Sequence, residues 1–357
     1  MSVKIIHGDC REEMKKLAAE SVQCCVTSPP YWGLRSYLKA DDPLKKHEMG
    51  SEDSPEEFVA NLVTVFQEVR RVLRKDGTCW INLGDSYASN GGRGEQGGTS
   101  QRKGRSNVKA QERAGSTRAP QGLKAKDLVG IPWMVAFALR ADGWWLRQEI
   151  IWHKPNPMPE SVTDRCTKAH EQIFLMTKSA NYYCDMEAIK EPASQNTNPR
   201  RAGNGYKTPD GWDTSKGSGG HGNFHKAGRE QGRTGYVRKG GRQGEVKNNE
   251  SFDEAMAVMP DDRNKRTVWT VPSKGYREAH FATYPPDLIR PCVLAGCPVG
   301  GVVLDPFGGS GTTGEVCEEE GRNSILIELG AHNVRLIEKR TAQGGLFCAP
   351  TGKIIPK

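Results

Sequence analysis

The chain has 357 residues, a net charge of +8, 36% hydrophobic residues and 41 glycines. That length buries a full core as one large or two modest domains, and the low apolar and high glycine content indicate a globular part diluted by polar, glycine-rich segments. No apolar run approaches the roughly 18 residues of a membrane span, and the start "MSVKIIHGDC" has no apolar signal core, so a cytoplasmic protein without membrane contact is expected.

In chain order, "KIIHGD" reads as a strand and "REEMKKLAAE" as the helix after it. "VQCCVTS" is a β-branched apolar run of strand length that stops at Ser28-Pro29-Pro30-Tyr31. Ser54 as N-cap, Pro55 in the first turn and Glu56 and Glu57 at the positive dipole end announce a helix. Phe58, Leu62, Val65, Phe66, Val69, Val72 and Leu73 keep its apolar face, and Gly77 is expected to close it. "TCWINLG" is a buried strand, "DLVGIPWMVAFALRADG" a helix, and "WLRQEIIWHK" and "EQIFLMTK" two more strands. Trp144, Trp145 and Trp152 are expected in the core. From about Pro192 to Arg266 no period is sustained. Order resumes at "TVWTVP", followed by a helix through "PPDLIRPCVLAG", the strand "GVVLDPF", a glycine turn, a helix from about Thr312, the strand "NSILIEL" and a last helix. Strands alternating with helices imply an α/β fold with a doubly wound parallel sheet.

The positive charge is concentrated. Residues 91–122 hold seven Lys/Arg against two acids, and residues 196–248 hold eleven against four, so the remainder sums to about −4. The same tracts carry 21 of the glycines. Glycine-rich basic tracts on a mildly acidic body suit loops that close on a polyanion, and nucleic acid is the expected partner. Ten cysteines lie mostly in apolar stretches without a CxxC pair, and His221 and His225 lack cysteine partners, so reduced thiols and no metal are expected.

"DPFGGSGTTG" (Asp305 to Gly314) links a strand to a helix, and Glu328 closes the next strand 17 residues beyond Gly311. Glycines admit a ligand to the backbone, the helix N-terminus faces a negative group, and the acid accepts ribose hydroxyls. The pattern alone does not separate a nicotinamide dinucleotide from S-adenosylmethionine. A dinucleotide fold usually opens with this unit, whereas here it closes the chain.

"GDC", "TSPPYWGLR", "LRKDGTCWINLGDSY", "IIWHKPNPMPESVTDRCTKAHE", "AHFATYPPDLI" and "VLDPFGGSGTTG" with "GRNSILIEL" stand in an order that resembles the amino-group DNA methyltransferases of the permuted β type, over about 250 residues. The resemblance implies a Rossmann-like, mostly parallel methyltransferase sheet of circularly permuted motif order with a glycine-rich basic insertion, S-adenosylmethionine as cofactor and double-stranded DNA as partner. It divides the chain into a target-amine half over 1–190 with a basic loop at 86–125, a target-recognition insertion over 191–266, a donor-binding half over 267–345, and a tail over 346–357.

It also implies roles. The Ser28 hydroxyl and Pro29 carbonyl would accept the two N–H bonds of a base amine and free its lone pair, Pro30 would fix that carbonyl, and Tyr31 would stack on a base flipped from the duplex. Asp9, Phe281, Thr283, Tyr284, Asp305, Phe307, Gly309, Ser310, Gly311, Thr312 and Glu328 would hold the donor. Trp32, Arg35, Lys154 and Arg165 are candidate DNA contacts, the last two equally readable as solvated side chains. In this family a serine before Pro-Pro-aromatic leans to cytosine N4, and aspartate or asparagine to adenine N6, so cytosine is favoured with adenine as the alternative. A nicotinamide oxidoreductase, a non-catalytic nucleic-acid binder, and RNA or protein methylation are the competing classes. Cys292, after Pro291, reads as a core thiol rather than a nucleophile. Oligomeric state stays open.

Overall fold

A computed structural model describes residues 1–33, 38–39, 41–88, 122–193, 262–274 and 283–344. The basic tract 196–248 and the tail 346–357 lie outside these residues, as does most of the 86–125 loop. The chain divides into two compact units, Met1–Lys190 with Asn264–Lys357, and Glu191–Arg263. Of the second, the described part is the antiparallel pair β6 (Glu191–Pro192) and β7 (Asp262–Arg263), with an Arg263–Glu191 ion pair at 2.9 Å.

The first unit is built on an eight-stranded sheet in the order β1-β10-β9-β2-β3-β5-β4-β8. Its strands are β1 (Val3–His7), β2 (Val22–Thr27), β3 (Leu73–Leu83), β4 (Trp145–His153), β5 (His170–Thr177), β8 (Val268–Thr270), β9 (Val302–Asp305) and β10 (Asn323–Glu328). All neighbours run parallel except β5, which is antiparallel to both β3 and β4. The helices are α1 (Cys10–Lys15), α2 (Pro55–Val72), α3 (Ile131–Ala141), α4 (Pro286–Gly296), α5 (Thr312–Glu319) and α6 (Ala331–Gly344). Among the described residues no helix is long and apolar enough to cross a membrane.

Alternation along the strands assigns the two faces. Cys25, Cys79, Ile81, Phe174 and Leu304 pack with α1, α2 and α3, whereas Cys24, Val26, Trp80, Ile173 and Val303 pack with α4 and α5. Strands covered on both sides read as continuous apolar runs, which is why "VQCCVT" shows no polar face. Phe58, Leu62, Val65, Phe66, Val69 and Val72 of α2 are fully buried, and Ser54 caps the helix by accepting from the Glu57 amide at 3.1 Å. Cys292 lies in α4 among core residues, its thiol pushed up by burial.

Three expectations are corrected. The second helix ends at Val72, and Leu73 already pairs with Val22 in the sheet, so Gly77 is a strand residue. Leu73 matched the helical period because it is buried either way. The first helix stops at Lys15 rather than Glu20, since the chain turns back to β2 through Glu20 at φ 55°. Trp144 and Trp152 are buried, but Trp145 is 49% exposed.

Neighbouring strands β2 and β9 are pinned at their carboxyl ends by a buried carboxylate. The Asp305 Oδ1 accepts from the Thr27 hydroxyl at 2.7 Å and from the Phe307 amide at 3.1 Å. Its Oδ2 accepts from the hydroxyls of Tyr284 at 2.9 Å and Thr313 at 2.6 Å. Burial raises the Asp305 pKa from 3.8 to about 6, with these hydrogen bonds opposing it.

Two outcomes follow. A Cβ on Gly296, at the end of α4, would lie 2.6 Å from Cys24 Sγ and from Thr78 Oγ1. Gly296→Ala is therefore expected to cost about 1–3 kcal/mol of overpacking, read as a lower urea midpoint, and an unchanged midpoint would show that α4 can lift off the sheet. Because the folded pKa of Asp305 is raised, its stabilising contribution is complete below pH 3.8 and is lost as pH rises through about 6. The stability advantage of wild type over Asp305→Asn should accordingly narrow by up to about 3 kcal/mol between pH 4 and pH 7, and a gap independent of pH would contradict this.

Candidate active site

Parallel neighbours end at one sheet edge, so the loops after β2 and β9 meet there, at a switch point of the kind where α/β sheets bind ligands. A cavity of about 620 Å³ opens at this edge. Ser28, Pro29, Pro30 and Tyr31 form one wall of it. Phe307, Gly309, Ser310, Thr312 and Glu328 form another, and Asp9, Thr283, Tyr284 and Lys154 complete the expected residues that face it.

The glycine loop is shaped by its backbone. Gly309 (φ 52°) and Gly311 (φ 83°) are left-handed, a conformation that side chains disfavour. Gly311 heads α5 against Ile337, while a Cβ on Gly309 would meet only the Phe307 carbonyl at 3.8 Å, which leaves its backbone open. Glu328 braces the loop from β10: one oxygen accepts from the Gly309 amide at 2.8 Å, the other from Gly330 at 2.8 Å and Asn333 at 3.1 Å. Burial raises its pKa while these donors oppose the shift. Arg340 ties the hydroxyls of Ser310 (3.0 Å) and Thr312 (2.9 Å) from α6, so those residues would offer a ligand their main chain.

Asp9 is the N-cap of α1, accepting from the Arg11 amide at 2.9 Å. Burial raises its pKa, but hydrogen bonds and charge from Arg11 outweigh that and hold the carboxyl below its usual range. His47 Nδ1 lies 3.0 Å from the same group.

On the opposite wall, Asn82 Nδ2 faces three acceptors, Ser28 Oγ at 3.4 Å, the Tyr31 hydroxyl at 3.0 Å and Glu171 Oε2 at 3.0 Å. The Tyr31 hydroxyl donates to that Glu171 oxygen at 2.7 Å. Lys154 pairs with the other Glu171 oxygen and lies 4.1 Å over the Trp152 ring.

Some expected residues sit elsewhere. Asp305 and Gly311 are not on the cavity wall: Asp305 is buried beneath the glycine loop, and Gly311 packs within it against Ile337. Trp32 is 7% exposed in the core, its indole N–H on the Glu52 carbonyl, which makes it a packing residue rather than a surface one. Arg165 pairs with Glu160 and stacks 3.8 Å over Tyr87, outside the cavity lining. Phe281 and Arg35 lie outside the described residues. The sequence reading missed Asn82, Gly84 and Glu171. Asn82 carried a signal, a polar residue late in an apolar strand. Glu171 carried none, because only the antiparallel course of β5 brings its amino end to the edge where the parallel strands finish.

The family model described as "DNA methylase" matches residues 22–339. Among curated proteins, the chain is 41% identical to the type II methyltransferase M.SmaI of Serratia marcescens, over 95% of this chain and 90% of that protein. It is 40% identical to the type II methyltransferase M.Cfr9I of Citrobacter freundii, over 94% and 86%. Among solved structures, the fold is similar to that of the PvuII DNA methyltransferase (cytosine-N4-specific), with TM-score 0.56, 15% identity and coverage of 99% and 89%. It is also similar to a DNA modification methylase of Thermus thermophilus solved with S-adenosyl-L-methionine, with TM-score 0.50, 21% identity and 96% of each chain. The match across most of the chain and the 41% identity show that it belongs to the S-adenosylmethionine-dependent DNA methyltransferases that act on amino groups.

Proposed function

We propose that the chain methylates the exocyclic N4 amine of cytosine in double-stranded DNA, and that the cavity at the sheet edge is where it does so. The observation that carries this reading is Ser28: a neutral hydroxyl, not a carboxylate or amide, directly follows β2 and lines the cavity together with the glycine loop.

The cavity residues fit the donor. Its volume is within the usual range of about 300–1,000 Å³ for cofactor sites. The open backbone at Gly309 gives a ligand close approach. Glu328 Oε2 accepts from the Gly309 amide, and a carboxylate has about four lone-pair sites, so it retains capacity for a ribose hydroxyl. When bound, S-adenosylmethionine would supply a methyl group on a sulfonium, open to in-line attack by an amine nitrogen, with the carbon–sulfur bond breaking to a neutral thioether and the surplus amine proton passing to solvent.

The chain's own part is to hold and activate that amine. A nucleobase amine is a poor nucleophile because its lone pair is delocalised into the ring. Acceptors at Ser28 Oγ and the Pro29 carbonyl draw its two N–H bonds out of the ring plane, and Pro30 keeps that carbonyl aimed. The base reaches them only after leaving the duplex, at a cost of a few kcal/mol that stacking offsets. Tyr31 offers its ring face for this, since its hydroxyl is engaged by Glu171 and Asn82. No covalent intermediate is needed, so positioning and electrostatics supply the acceleration. Recognition of the DNA sequence belongs, on this reading, to the basic residues of 191–266.

Incubation with mixed-sequence duplex DNA and labelled S-adenosylmethionine, digestion and mass analysis should yield N4-methylcytosine. N6-methyladenine would overturn the base assignment. Ser28→Ala should lower turnover by about 10²-fold, on the scale of losing one fixed polar contact to a reacting group, with donor affinity by calorimetry unchanged. Full turnover in that variant would remove Ser28 from the chemistry.

A further inference from the structure

Glu171 has no role in the chemistry above, yet its carboxylate joins Tyr31, Asn82 and Lys154 on the target-base wall. It opens β5 beside Trp152 of β4 and is half-buried. Oε2 accepts from the Tyr31 hydroxyl at 2.7 Å and Asn82 at 3.0 Å, and Oε1 holds the Lys154 ammonium. The same wall fixes the Tyr31 ring from a second direction, because a Cβ on Gly84 would lie 2.5 Å from Tyr31 Cε2. The ring therefore rests on bare backbone, and its tip is tethered. The Lys154 side chain, 20% exposed, is held between the Glu171 carboxylate and the Trp152 face.

The geometry points to Glu171 as a positioning residue for methyl transfer: its carboxylate sets the plane of the Tyr31 ring and the place of the Lys154 ammonium on the wall that receives the flipped base. This rests on the reading of Tyr31 as the stacking platform. Tyr31 sits in a loop, where a ring without its tether can swing about two side-chain torsions. A stacked base follows its platform, and a displacement of about 1 Å at a reacting group can cost 10²-fold in rate. Glu171 touches no reacting atom; it acts through Tyr31 and Lys154. A strand staple without this role would weaken the fold and the donor loop together.

The test uses the full chain with mixed-sequence duplex DNA and labelled S-adenosylmethionine, for wild type, Glu171→Gln, Tyr31→Phe and the double variant. Glu171→Gln keeps the shape but loses the charge that holds Lys154. It should lower kcat/KM for DNA by about 10- to 100-fold, with donor affinity by calorimetry and the melting temperature close to wild type. Tyr31→Phe, which removes one hydroxyl and keeps the ring, should show a smaller loss, and the double variant should be no worse than Glu171→Gln. Wild-type kcat/KM in Glu171→Gln, multiplying losses in the double variant, or donor affinity falling in step with rate would each overturn the proposal. If Glu171→Gln fails to fold, wild-type kcat/KM in Tyr31→Phe overturns it alone. Wild type that methylates no DNA amine would instead overturn the functional reading on which the proposal rests, so the two failures are told apart.

Discussion

Thr27 and Asp305 end neighbouring parallel strands, and the 2.7 Å hydrogen bond between them joins the loop proposed to face the target amine to the loop proposed to face the donor. Methyl transfer requires two ligands of unrelated chemistry at bonding distance. The sheet supplies the coarse register, with Cys25 of β2 opposite Leu304 of β9. Asp305 supplies the fine register, because its second oxygen also collects Tyr284 and Thr313. A carboxylate this deeply buried is costly to ionise, and four donors around it offset that cost. Removing one donor leaves the others to reorganise around the charge, so the loops depend on each other through a group that faces neither ligand.

The same arrangement recurs around the cavity. Glu328 holds the glycine loop through backbone amides while still lining the cavity. Arg340 ties Ser310 and Thr312 from beneath, and Glu171 ties Tyr31 and Lys154 on the far wall. Gly309, Ser310, Thr312, Tyr31 and Lys154 are thus each restrained by a charged residue behind them, as expected of a preorganised site.

Most of the sheet was legible because strands buried on both faces are plain apolar runs, and α2 because its cap, first turn and apolar period agree. The end of α2 was misread since Leu73 is buried in helix or strand alike. The two loops were legible because glycines and prolines mark unusual backbone wherever they fall. What could not be read was the supporting layer. Glu171 meets Tyr31 across 140 positions, and Thr27 meets Asp305 across 278, so nothing local announces either pair. Asp305 was found by its motif, yet its place beneath the loop, as brace rather than wall, needed the fold. Trp145 at 49% exposure and Trp32 at 7% show that aromatic residues carry no sign of which side they will face.

If Asp305 registers the two loops, a change on the amine-side strand must be felt by the donor. Thr27→Val keeps the shape of a residue that is 1% exposed and removes only the hydroxyl that reaches Asp305. The direct measurement is the calorimetric affinity of this variant for S-adenosylmethionine in the absence of DNA. Weakening by about tenfold, the worth of one hydrogen bond to a charged group, is the expected result. Affinity equal to wild type would contradict the coupling and leave the two loops as independent sites that share a sheet edge.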